Sequence, residues 1–209
     1  MNSGSRGRFL VGTMVLGLLL LVMPAVAVAG DARPVRFDRW VQSGVDASAA
    51  PWVYNLLLAV DGLGEPAGRL VLVVAAVSLC LVFRRTALAL TLVVASGLVV
   101  VVSSVLKQLV GRRIHEGSLS YPSGHTAALT AVGFVLGLLV ADLVEAGPLL
   151  GAAIALAGAA LGGAVMAWSQ IYLTAHYPTD TVGGLGTALV VVPASLLVID
   201  RFRPRRNHT

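Results

Sequence analysis

The apolar and polar positions of this chain do not alternate; they segregate into blocks. Six apolar runs, Phe9–Ala29, Gly68–Phe83, Ala87–Leu106, Thr126–Leu143, Pro148–Trp168 and Thr181–Ile199, are separated by shorter polar connections. Each approaches the ~20 residues that an α-helix needs to cross a hydrocarbon core ~30 Å thick, and the second run is the shortest. A backbone in lipid must satisfy its own hydrogen bonds, so runs without period-2 alternation predict spanning helices rather than a barrel. The expected fold is all-α, a polytopic bundle of about six transmembrane helices forming a single membrane-embedded domain over residues 1–209.

Composition strengthens this reading. With 57% apolar and 12% charged residues the chain falls outside the range of soluble domains. The net charge of +5 does not point to nucleic acid, because the cations cluster at the ends of apolar runs. Arg6 and Arg8, Arg84 and Arg85, and Arg201–Arg206 mark cytoplasmic ends under the positive-inside rule, which with an even number of spans puts both termini inside.

Three connections then face outward: Gly30–Ala67, Lys107–Gly124 and Ser169–Asp180. The first balances Arg33, Arg36 and Arg39 against Asp31, Asp38, Asp46, Asp61 and Glu65. Within it FDRWVQSGV, with Trp40 and later Trp52, reads as an interfacial amphipathic helix. Residues 1–30 fit either a first span or a cleavable secretory signal, given the basic start and the PAVAVAG stretch. The tail, residues 200–209, reads as a basic anchor on anionic headgroups, and GAAIALAGAALGGA as a surface for close helix packing. Cys80 is the sole cysteine, which excludes an internal disulfide and a cysteine metal cluster.

Ionisable groups at membrane depth are costly, so the outer connections hold the candidates for chemistry. Lys107, Arg112, Arg113 and His115 bring three cations and a histidine together, a set suited to a phosphate. In YPSGH, Ser123 can cap the helix that follows, Gly124 lets a ligand approach the backbone, and His125 falls in the first turn beside the free amides. In SQIYLTAHYPTD, Pro178 keeps its neighbour out of helical geometry and places His176 in a short extended segment. Asp180, four residues on, can accept a hydrogen bond from one imidazole nitrogen and leave the other free to attack; a plain helix cap is the simpler role for it.

Lys107 followed by PSGH, and Ser169 followed by His176 and Asp180, resemble the type 2 phosphatidic acid phosphatase superfamily, the lipid phosphate phosphatases. The resemblance implies a metal-independent phosphohistidine mechanism without a cofactor. His176 would attack phosphorus, Asp180 would orient its ring, and His125 would protonate the leaving alkoxide and then activate water. Lys107, Arg112, Arg113, Ser123, Gly124, Ser169 and Gln170 would bind the phosphoryl group. The chain departs from the family pattern at two clamping arginines: Ile114-His115 stands in place of Arg-Pro, and Ser169-Gln170 in place of Ser-Arg. A neutral donor is weaker than a charged one, so a slower enzyme or an unusual head group is expected.

The expected partner is therefore a lipid phosphate in the bilayer, with the site on the extracytoplasmic side. Polyprenyl, glycerolipid and glycolipid phosphates all remain open. A phosphotransferase would use the same residues, and a degenerate member would bind lipid phosphate with little catalysis. A metal site from His115, His125, His176 and Asp180 is a further alternative, although no HxxxH-type pair supports it.

Overall fold

The computed structural model describes residues 3–45, 51–114 and 117–202. Eight helices occur in this part of the chain: α1 (Ser3–Val28), α2 (Arg36–Ser43), α3 (Pro51–Gly62), α4 (Pro66–Val82), α5 (Thr86–Val110), α6 (Gly124–Leu143), α7 (Pro148–Tyr172) and α8 (Pro178–Phe202). Between α5 and α6 two short strands, β1 (Arg113–Ile114) and β2 (Ser118–Leu119), pair antiparallel.

Five helices, α1 and α5–α8, are each long and apolar enough to span a membrane. The expected second span is only half met by α4, which has 17 residues and completes a crossing only together with α3, from which it bends by 72°. Its brevity has a local cause: Pro66 sits at its first turn and cannot extend it backward. The bundle is an integral membrane protein with a sharp corner where one crossing breaks.

Packing is closest where side chains are smallest. α6 lies along α7, and α1 along α8. A Cβ on Gly17 would stand 2.9 Å from the Gly186 carbonyl oxygen, so α1 and α8 touch through their backbones. Leu92, Val99, Phe134, Leu138, Leu139 and Leu196 fill the core between these helices. The basic clusters collect at one end, where Arg6 pairs with Asp200 at 3.7 Å and Arg85 with Asp142 at 3.8 Å. The opposite end carries the unusual polar residues.

Helix ends there are shaped by single residues. Gly111, at φ +67°, stops α5 in the left-handed region, and its N–H returns to the Lys107 carbonyl at 3.1 Å. Ser123 caps α6, its Oγ accepting the Thr126 N–H at 3.3 Å. On α2, Trp40 points outward while Asp38 is wholly buried, so the helix is amphipathic with a charge on its inner face. The tail residues 203–209, Asp46 and His115 lie outside the described residues.

Candidate active site

The turn from α7 to α8 is built around one carboxylate. Thr174 takes a left-handed conformation (φ +56°), and the Gln170 carbonyl accepts the N–H groups of Ala175 at 2.9 Å and His176 at 3.3 Å. Asp180 Oδ2 then accepts the Tyr177 N–H at 3.0 Å and lies 3.4 Å from His176 Nδ1. The simpler capping role and the orienting role thus fall to the same oxygen. Its contact to Nδ1 favours the tautomer with the proton there, leaving Nε2 with a lone pair. Nε2 has no hydrogen-bond partner among the described residues.

His176 is 7% exposed. Burial pushes its pKa below the ordinary 6.5, and the nearby charges of Lys107 and His125 push the same way. The bond and charge of Asp180 oppose them without prevailing. A neutral imidazole at neutral pH is what a nitrogen nucleophile requires.

Behind Asp180 stands Arg112, with no exposed surface. Its Nη1 donates to Asp180 Oδ1 at 2.7 Å and to the Thr179 hydroxyl; its Nη2 donates to Asp38 Oδ2 at 2.7 Å. Asp38 Oδ1 in turn accepts the Thr179 N–H and hydroxyl, both at 2.9 Å. The Tyr177 ring covers the guanidinium, its centroid 4.3 Å from Cζ. Both terminal nitrogens of this guanidinium are engaged by protein groups, while its buried Nε has no hydrogen-bond partner among the described residues. Arg112, expected to bind substrate, lies in contact with Asp180, Asp38 and Thr179. Arg113 is exposed and closes the hairpin by donating to the Gly117 carbonyl at 2.7 Å.

On the other side of His176 lies the entrance of α6. The Ser123 N–H is tied to the Asp180 carbonyl at 2.9 Å, which fixes this helix start against α8. Ser123 Oγ is used by the cap, leaving the amides of Gly124 and His125 as the free donors of the first turn. Tyr121, fully buried, donates its hydroxyl to the Leu21 carbonyl of α1, and burial raises its pKa, so that donor stays protonated. Lys107, in the last turn of α5, has no hydrogen bond or ion pair among the described residues, yet its charge reaches both His176 and Asp180.

The α3–α4 corner closes over His125. Gly64 rests on the imidazole so closely that a Cβ would stand 2.6 Å from the ring Cγ. His125 Nε2 lies 3.4 Å from Glu65 Oε1 and 3.8 Å from Asp61 Oδ1, within ion-pair range but without an aligned hydrogen bond. Ser169 and Gln170, expected to bind the phosphoryl group, contact this corner: Ser169 Oγ donates to the Leu57 carbonyl at 2.7 Å, and Gln170 Nε2 donates to Asp61 Oδ1.

Sequence reasoning missed Asp38, Asp61, Glu65, Gly64 and Thr179. In the sequence the carboxylates among them read only as charges balancing arginines. Below the corner runs an apolar groove of about 520 Å³, lined by Leu63, Leu129, Leu136 and Ile154 among others. It descends between α6 and α7 from the level of the site. Among the described residues no three His, Cys, Asp or Glu side chains are grouped to hold a metal ion.

Residues 70–204 match the PAP2 superfamily, and the chain belongs to that family. A crystal structure of a transmembrane PAP2-type phosphatidylglycerolphosphate phosphatase from Bacillus subtilis shares the fold, with a TM-score of 0.70 and 22% identity over 93% of this chain and 99% of that one. Family and fold together support a membrane phosphatase. No curated protein matches the chain.

Proposed function

We propose that the chain is a lipid phosphate phosphatase working at the extracytoplasmic face through a phosphohistidine. His176 Nε2 attacks phosphorus, the P–O bond to the leaving alcohol breaks, and protonated His125 gives its proton to the departing oxygen. Water then loses a proton to His125 and attacks the phosphohistidine; the P–N bond breaks, releasing phosphate and restoring His176. Lys107 and the amides of Gly124 and His125 hold the non-bridging oxygens as charge gathers on them. Arg112 acts through Asp180, as a positioning residue, and Ser169 and Gln170 act through the corner.

The observation that carries the reading is the contact between buried Asp180 and His176 Nδ1, with the opposite nitrogen open beside Lys107 and His125. The groove supports a lipid as substrate, since a tail lying in it brings a head group to the corner. The cytoplasmic assignment of the Arg6 and Arg85 end supports an outward-facing site.

The test is phosphate release from a panel of lipid phosphates by the purified chain, with chelator present, beside His176→Ala and His125→Ala. The expected result is chelator-resistant release by the parent and its loss in both variants. Full release by His176→Ala overturns the phosphohistidine, and absence of release from every lipid favours a lipid-phosphate-binding role.

A further inference from the structure

We propose that Asp61 and Glu65 are specificity-determining residues, which favour a lipid phosphomonoester whose leaving alcohol carries a hydroxyl donor and disfavour a lipid diphosphate. This rests on the phosphatase reading above and narrows its substrate.

The argument begins with His125. It delivers the proton to the leaving oxygen, so the groups packed against its ring border the leaving group. Two carboxylates lie there, Glu65 at 3.4 Å and Asp61 at 3.8 Å. The fold holds them in place: Gly64 between them rests on the imidazole, and Ser169 ties α3 to α7 through the Leu57 carbonyl. At position 170 a neutral amide contacts Asp61, so its charge is hydrogen-bonded but not cancelled.

Two substrate chemistries meet this wall differently. When a diphosphate is cleaved at its terminal phosphorus, the leaving group is a lipid phosphate, already an anion and gaining charge. Placed ~6 Å from two carboxylates at an effective dielectric of about 20, it is repelled strongly enough to cost on the order of tenfold in rate or more. When a monoester is cleaved, the leaving alkoxide is neutralised by His125 as it departs. A hydroxyl on the adjoining carbon then finds acceptors in the carboxylates of Asp61 and the half-exposed Glu65. Such bonds, with a charged acceptor, are the stronger kind.

Two matched pairs of lipids test this with the full chain in detergent micelles. Polyprenyl monophosphate against polyprenyl diphosphate varies the charge of the leaving group together with its intrinsic leaving ability, which is the same for every variant and cancels when parent and variant ratios are compared. Monoacylglycerol phosphate against diacylglycerol phosphate varies the free hydroxyl. The parent's monophosphate-to-diphosphate ratio in kcat/KM is expected to exceed that of variants lacking the carboxylate charge, and the parent is expected to favour the hydroxylated lipid severalfold.

Glu65→Gln and Asp61→Asn, which keep shape and a hydrogen-bonding oxygen, are each expected to reduce the first preference at least about threefold. Each preference is a ratio measured within one variant, so a general loss of folded protein cancels. A monophosphate-to-diphosphate ratio that both variants leave as it is in the parent overturns the inference. Absence of phosphate release from all four lipids overturns the underlying phosphatase reading and this inference with it.

Discussion

The two histidines sit in unlike surroundings. On the Nδ1 side of His176 the polar side chains form a buried network: Asp180 holds the ring, Arg112 holds Asp180, and Asp38 holds Arg112 and Thr179. Around His125 the side chain is 27% exposed, its neighbours Asp61 and Glu65 are at ion-pair distance without aligned bonds, and Lys107 has no partner among the described residues. A nucleophile needs one fixed direction of attack, and a closed network supplies it. A group that must give a proton, take one from water and let product leave needs room. The rigid half is also the half with most to lose, because buried charges tolerate removal of a partner poorly.

That contrast can be broken most sharply at Asp180. Asp180→Asn keeps the shape but not the charge that selects the tautomer, and by analogy with catalytic triads kcat should fall by ~10³–10⁴. A loss below about tenfold would show that the carboxylate serves only the helix start. Next in size, Arg112→Met leaves Asp38 and Asp180 buried without a counter-charge and should cost ~3–5 kcal/mol of stability. A thermal-unfolding series in detergent measures this; an unchanged midpoint would remove the network from the account.

On the open side, Gly64→Ala forces a methyl group onto the His125 ring. The ring or the corner must shift, and kcat should fall roughly tenfold while the unfolding midpoint moves little, since a misplaced acid costs rate more than stability. Smallest is the pH effect. With its pKa below 6.5, His176 remains neutral and nucleophilic as the pH drops through that value. The acid limb of single-turnover phosphohistidine formation, which follows deprotonation of the nucleophile, should therefore lie below pH 6.5 and move upward if Lys107 is replaced by glutamine only to the extent that the positive charge depressed it. Sign and cause agree: removing a cation makes the imidazole easier to protonate.

Much of this was legible in the sequence, and the reason is geometric. A span announces itself by twenty apolar residues in a row. The site motifs were also visible, because Lys107, Ser123, His125, His176 and Asp180 gather at ends of helices where a few neighbouring residues set the geometry. Asp38 gave no such sign. It lies 74 residues from Arg112, and nothing local in FDRW distinguishes a buried partner from a solvated charge. Asp61 and Glu65 were hidden for another reason: they reach the site only because α3 and α4 bend by 72°, and the short fourth helix did not reveal a corner. The same gap hides the contacts of Arg112, whose carboxylate partners at 38 and 180 come from α2 and α8.

The placement of Arg112 has a consequence for recombination among relatives. One guanidinium joins the loop after α5 to α2 and to α8, segments that lie far apart along the chain. A chimera that imports the α7–α8 turn from another protein must carry a matching residue at 112 and at 38, or it inherits a motif without its foundation. Position 38 is therefore where the fitness of a transplanted turn is decided, though it belongs to neither motif.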